Sequence, residues 1–374
     1  MIYLDYSATT PVNPEVIDTY SRACREFIGN PNSIHKLGVK SKELIDASTK
    51  QIADILGVKT SEIIYTSGSS ESNNTAVKGV CLKYENRGRH IISTELEHSS
   101  IIAPLNYLAS KGWEVDFVKL DKDGLVDLED LERLIRDDTV LVTIGAVNSE
   151  VGVLQNIKAI SEVIRKKNPR TIFHSDVTQC IGKTKFDFDL VDLASISAQK
   201  FYGMKGIGAL IKREKLIIEP LIHGGKSTTV FRSGTPATPL VASFAKALRL
   251  AYEDFDNKNE KVVTLRKKLI SGLEKLDVVI NSNEHCLPYM VNVSLKNIKS
   301  EVMLHALEEE DIYISTQTAC STGNYSKAVY AITHDKNLAS SSIRISLSHL
   351  TTEEEIDTFL KVFEEKLESL SFRR

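Results

Sequence analysis

Cysteine is scarce in this chain and irregularly spaced. Five occur among 374 residues, at Cys24, Cys81, Cys180, Cys286 and Cys320. An odd, scattered set does not make the framework of a disulfide-stapled domain, so a reducing, cytoplasmic setting is expected. No apolar run approaches the ~20 residues that a membrane span needs, and no membrane association is expected. Neither sign of charge dominates: 47 basic and 50 acidic residues leave a net charge of -3. That balance argues against a broad polyanion-binding surface, and no direct nucleic-acid binding is expected. The opening MIYLDYSATT has no basic stretch followed by a long apolar core, so no cleaved secretory signal is expected. No cluster of His and Cys has the spacing of a structural zinc site, and no metal is expected. Internal repeats and low-complexity tracts are missing as well.

What is present describes a globular protein. Hydrophobic residues make up 42% and charged residues 26%, and the length allows two or three domains. Tyr3 to Tyr6 reads as a short strand. Asn13 to Phe27 and Ser41 to Leu56 have helical spacing, separated by the turn-rich GNPNSIHKLG. From residue 62 onward, short apolar runs alternate with amphipathic stretches: EIIYTSG, HIISTE, EVDFVKL, TVLVTIGAV, TIFHSD, LASISA and GIGALIKR. Runs this apolar predict strands covered on both faces, hence a mostly parallel sheet between helices. A long helical stretch from Pro239 to about Leu273, interrupted near Asp254 to Asn259, leads to a second, smaller α/β part. Its last helix starts near Glu353, with Thr351 and Glu354 placed for a capping box.

Polar clusters follow several strands, where ligands of such sheets sit. In FHSDVTQCIGK, Asp176 stands at a strand end; it could pair with a protonated ring nitrogen or cap the next turn, and Gln179 lies three residues on. In SAQKFYGMKGIGAL, Lys200 ends an apolar run. It could be a solvated lysine or one able to form a Schiff base. Together the two residues supply what a pyridine aldehyde cofactor needs, an anion and an amine. TSGSSESNN could cradle a phosphate through Gly68, Ser69 and Ser70, or be a serine-rich helix cap. GKSTTVFRSGT could add Thr235. His98 could stack on a planar cofactor or be a structural histidine. Cys320, in STQTACSTGN, suits a reactive thiolate, whereas Cys24, Cys81 and Cys180 read as quietly buried. Arg344, on the apolar SIRISLS, calls for an anion: a substrate carboxylate or a structural ion pair.

Taken in order, LDYSATTPVNP, GNPNSIHKLG, TSGSSESNN, EHSS, NSEVGVLQNI, HSDVTQCIGK, SAQKFYGMKGIGAL, RSGT, STQTACSTG and SIRISLS resemble the cysteine desulfurases. These are pyridoxal-phosphate enzymes of the class V aminotransferase-like fold. The resemblance runs from residue 4 to residue 357 and is to the branch with a long cysteine loop. It implies a large cofactor-binding domain over 15–250 built on a seven-stranded, mostly parallel sheet. A smaller domain over 251–374, joined by residues 1–14, would carry the cysteine loop.

The resemblance also implies roles. Lys200 would bind the pyridoxal 5'-phosphate aldehyde, Asp176 would face the ring nitrogen, Gln179 the phenolic oxygen, and His98 would stack on the ring. Ser69, Ser70 and Ser197 would hold the phosphate, with Thr235 from the other subunit of a homodimer. Asn30 and Arg344 would bind L-cysteine, and Cys320 would accept its sulfur as a persulfide and pass it to an iron–sulfur scaffold or a tRNA-thiolating enzyme. Departures from the pattern are Ser149 for a cofactor-contacting asparagine, Gln199 for a phosphate-contacting histidine, and Lys226, Ser227 and Thr228 before RSGT. They leave room for another pyridoxal-phosphate reaction on the same fold, or for a weakly active scaffold in a sulfur-transfer complex.

Overall fold

The computed structural model describes residues 1–316 and 325–371. Its strands are β1 (Ile2–Tyr3), β2 (Ile63–Thr66), β3 (His90–Ser93), β4 (Glu114–Phe117), β5 (Thr139–Thr143), β6 (Ile172–Asp176), β7 (Leu193–Ser197), β8 (Gly208–Lys212), β9 (Val278–Ile280), β10 (Met290–Leu295), β11 (Ile312–Tyr313) and β12 (Ser342–Ser346). The helices are α1 (Pro14–Glu26), α2 (Lys36–Leu56), α3 (Ser69–Tyr84), α4 (Ser99–Ala109), α5 (Leu128–Leu134), α6 (Ile157–Lys167), α7 (Thr238–Tyr252), α8 (Phe255–Leu273), α9 (Ser300–Glu308), α10 (Lys327–Thr333), α11 (Lys336–Ser340) and α12 (Glu353–Ser371).

The main sheet has seven strands in the order β2-β8-β7-β6-β5-β3-β4. Only β8 runs against its neighbours. The other six therefore end on the same edge. Side chains alternate across a pleated strand, so adjacent apolar residues feed opposite faces. Ile63, Ile92 and Val142 join one core with α2, α6 and α7, while Ile64, Ile91 and Leu141 join another beneath α3 and α4. This explains the continuous apolar runs: β5, β7 and β8 are buried at every position. β4 differs from expectation. It stands at one edge of the sheet, opposite β2, and its Glu114 and Phe117 are exposed.

The remaining strands form two small sheets. β10 pairs antiparallel with β12 and β9, and β1 pairs in parallel with β11. The chain start thus lies beside segments more than three hundred residues away.

Local chemistry sets the helix ends. Asn13 accepts from Glu15 N at 2.9 Å ahead of Pro14 in α1. The His35 ring accepts from Gly38 N at 3.2 Å, so α2 starts earlier than the helical spacing from Ser41 indicated. The break between α7 and α8 is sharper than expected: Glu253 and Asp254 alone leave the helix, Asp254 at φ 54°. The capping box of α12 sits one residue later than Thr351 and Glu354. Thr352 Oγ1 accepts from Glu355 N at 3.2 Å, and Glu355 Oε2 accepts from Thr352 N at 2.8 Å. Thr351 is buried and instead accepts from Ser348 N at 3.1 Å. Cys81 and Cys180 are buried as expected, but Cys24 is exposed on α1.

The turn after β2 and the start of β8 meet backbone to backbone. A Cβ added at Gly208 would lie 2.7 Å from Gly68 Cα and 2.5 Å from Ile196 O, and Gly68 itself has φ +151°. At Gly208 the crowding is against backbone, which has little room to give, whereas Gly68 is held to glycine by its backbone conformation. Gly208→Ala should cost about 1–3 kcal/mol of stability through overpacking. A lowered thermal midpoint checks this; an unchanged one would mean that the turn can relax.

Candidate active site

Because six strands share one carboxyl edge, the polar segments that follow β2, β3, β5, β6 and β7 converge there. β6 and β7 are parallel neighbours, with Asp176 opposite Ser195. Asp176 ends β6, and Lys200 lies in the single 3-10 turn, Ala198–Lys200, that directly follows β7. The sheet thus delivers the carboxylate and the amine side by side. The field of both acts on His98: Asp176 favours its proton and Lys200 opposes it, while burial, the largest effect, lowers its affinity for the proton.

The carboxylate is fixed from two sides. Asp176 Oδ2 accepts from Asn73 Nδ2 at 2.7 Å, and Oδ1 accepts from Thr178 N at 3.0 Å. It therefore caps the following turn and still faces the cluster. Asn73 Nδ2 also donates to Ser100 Oγ at 2.9 Å, and Ser100 Oγ lies 2.8 Å from His98 Nδ1. Ser100 N donates to the same ring nitrogen at 3.2 Å. Nδ1 must then carry a lone pair, which places the neutral imidazole's proton on Nε2. Asn73 and Ser100 lie within TSGSSESNN and EHSS, but their part in holding Asp176 and His98 follows only from the fold.

The amine is held by the chain start. Lys200 Nζ donates to Ser7 O and Ala8 O, both at 2.6 Å. Gln179 Nε2 donates to the same Ser7 O at 3.0 Å, and Gln179 Oε1 accepts from Lys183 Nζ at 2.7 Å. Lys183 is buried; desolvation, with a contribution from Lys200, brings its pKa down to about 7. Glu97, next to His98, is pushed up to about 8 by burial, although Gly145 N and Thr94 Oγ1 each donate to its Oε1 at 2.8 Å. Lys183 and Glu97 escaped the sequence reading, since their burial is a tertiary property.

Ser69 and Ser70 begin α3. Its N-cap, Gly68, brings no side chain to the free amides of the first turn. Ser197 ends β7, buried, with its Oγ 3.4 Å from where a Gly68 Cβ would be. The loop carrying RSGT is tied to α3 by Arg232 Nε donating to Glu71 Oε1 at 2.9 Å. Thr235 in that loop and Asn30 between α1 and α2 are both exposed. Ser149 offers its carbonyl to Arg344 Nη1 at 2.8 Å, and Gln199 offers its carbonyl to Thr10 N at 2.9 Å. Arg344, on β12, is buried, and its Nη2 donates to Asp5 Oδ1 at 2.6 Å. Cys320 lies outside the described residues. No group of three or more His, Cys, Asp or Glu suited to a metal occurs among the described residues, and no described helix is long and apolar enough to cross a membrane.

Residues 2–359 match the aminotransferase class-V family across almost the whole chain. The chain belongs to that family. The cysteine desulfurase IscS of Proteus mirabilis (strain HI4320) is 41% identical over 367 residues, covering 95% of this chain and 90% of the relative. A solved structure of a NifS-like protein superposes with a TM-score of 0.94 at 39% identity, covering 98% of this chain and 99% of that one. A structure of SspA in complex with cysteine has a TM-score of 0.83 at 30% identity, covering 94% of this chain and all of that one.

His174, buried between Thr143 Oγ1 at 2.9 Å and Ser195 Oγ at 3.0 Å, has its pKa pushed down to about 4 by desolvation. An unfolded chain takes up this proton near pH ~6.5. Between those values the unfolded state binds more protons, so stability falls as pH drops. The thermal midpoint should decline from about pH 6.5 towards about pH 4, and His174→Gln should flatten the slope; an equal slope would assign it to other groups.

Proposed function

We propose that this chain is a pyridoxal-phosphate-dependent cysteine desulfurase, releasing L-alanine from L-cysteine and passing the sulfur on as a persulfide. The observation that carries this reading is the convergence of Asp176, Lys200 and His98 at the carboxyl edge of the main sheet. Class V relatives depend in general on pyridoxal phosphate, and the donors here suit it. The uncapped amides and hydroxyls of Ser69 and Ser70, with buried Ser197 facing Gly68, suit a phosphate. The Asp176 carboxylate, held by Asn73, suits a protonated ring nitrogen, and the Gln179 amide suits a phenolic oxygen.

When bound, pyridoxal phosphate supplies an electron-withdrawing ring that makes the Cα proton of an amino acid acidic. The chain's residues do the rest. Asp176, held by Asn73, would face the ring nitrogen and favour a proton on it. His98, neutral, covers the ring. Lys200 would hold the aldehyde and, as a free amine, would move the proton at the substrate Cα. Arg344 binds the carboxylate, with Asn30 on the loop before α2 as a second contact. The Cys320 thiolate attacks the substrate sulfur: its electron pair forms the sulfur–sulfur bond, the carbon–sulfur bond breaks, and the pair of that broken bond passes to carbon, which is protonated to give alanine. The persulfide is then delivered to an acceptor protein of iron–sulfur assembly or tRNA thiolation. The working unit is a cytoplasmic homodimer, in which the partner subunit's Thr235 reaches the phosphate; Thr235 is exposed in the single chain.

Labelled L-cysteine followed by mass analysis of the peptide containing Cys320 tests the reading. Wild type should form alanine and carry extra sulfur at Cys320. Cys320→Ala should lose the persulfide while keeping the visible absorbance of bound cofactor. Lys200→Ala should lose that absorbance and slow alanine formation by about 10²-fold or more. Release of a keto acid in place of alanine would point to an aminotransferase, and a protein that takes up no cofactor would point to a scaffold.

A further inference from the structure

Arg344 is 2% exposed, and a buried guanidinium needs an anion and a full set of acceptors. The chain supplies only part of this. Nη1 donates to Ser149 O at 2.8 Å and Nη2 to Asp5 Oδ1 at 2.6 Å, while the buried Nε has no partner among the described residues. An orphaned donor on a buried arginine marks a position where a further acceptor belongs. Two of the three nitrogens are pinned from different elements. Ser149 follows β5, and Asp5 follows β1, where it bridges to Ser346 on β12. Asp5 is itself fixed, since its carbonyl accepts from Tyr3 Oη at 3.1 Å and from Ala8 N at 3.0 Å. The planar guanidinium therefore has one orientation, with its Nε edge left over.

We infer that Asp5 is a positioning residue: it holds the Arg344 guanidinium so that its unpaired edge meets the α-carboxylate of the amino-acid substrate. This rests on the desulfurase reading for the identity of the substrate and adds what aims the arginine. Asp5 touches no reacting atom. Its effect is on binding, so it changes the affinity for carboxylate-bearing ligands and leaves the handling of the amine and thiol alone. A charge-assisted hydrogen bond of this kind is worth about tenfold to a hundredfold in affinity.

The test uses the full-length holoenzyme with L-cysteine as substrate and cysteamine, which keeps the amine and thiol but lacks the carboxylate, as competitor. Asp5→Ala should raise KM for L-cysteine by about tenfold to a hundredfold with kcat changed far less. The inhibition constant of cysteamine should stay as in wild type. Asp5→Asn keeps an acceptor at the same reach and should bring KM back to within about threefold of wild type. Asp5→Glu keeps a carboxylate beside Arg344, so it should fold even if the alanine variant does not. Its extra methylene moves the guanidinium, and KM for L-cysteine should rise severalfold. A KM for L-cysteine unchanged in Asp5→Ala and Asp5→Glu overturns the inference, as does a cysteamine constant that rises in parallel. A lowered KM also overturns it, because Asp5 would then compete for the arginine. If wild type forms no alanine from L-cysteine, the desulfurase reading fails first, and that result is distinct from any of these.

Discussion

The parallel pairing of β6 with β7 is the constraint from which the site follows. Parallel neighbours finish at the same edge about 4.8 Å apart, so what stands at their two ends must meet. One end bears a carboxylate and the other an amine, and each would be costly there without partners. The fold provides them from far away in sequence: Asn73 on α3 for Asp176, and the carbonyls of Ser7 and Ala8 for Lys200. The reversal of β8 serves the same edge. It brings β2 in parallel to β7, so the Gly68 turn and the start of α3 open beside Ser197.

The seven-stranded sheet was legible because strands buried on both faces leave uninterrupted apolar runs, and Asp176 and Lys200 were legible because each follows such a run, where ligands of these sheets sit. Edge position is not written in a strand's own composition, which is why exposed β4 looked like its neighbours. The capping box slipped by one residue because Thr351 and Thr352 offer the same chemistry in two registers. Only the burial of Thr351 against Ser348 decides between them. Asn73, Ser100, Glu97 and Lys183 are ordinary polar residues of helices and turns until strand order makes them neighbours. Asp5 could not be tied to Arg344 from the sequence at all, since 339 positions separate them.

Two of the departures from the desulfurase pattern, Ser149 and Gln199, lend their main-chain carbonyls to the architecture. Arg344 uses the carbonyl of residue 149 and Thr10 uses that of residue 199. Any side chain offers those oxygens, so serine and glutamine at these places leave the architecture intact. Their side chains are free to alter how a ligand is held, which separates the tuning of the site from its construction.

The first eight residues do more than close a small sheet. β1 lies against β11, and three residues beyond β11 the described backbone ends at Thr316, just before the stretch that includes Cys320. A few positions after β1, the same segment presents the oxygens that grip Lys200. One short ribbon is thus anchored at once to the root of the thiol-bearing segment and to the nitrogen at the heart of the site. A bulky addition or a lost residue at the chain's start would therefore disturb the pairing with β11 and the grip on Lys200 together.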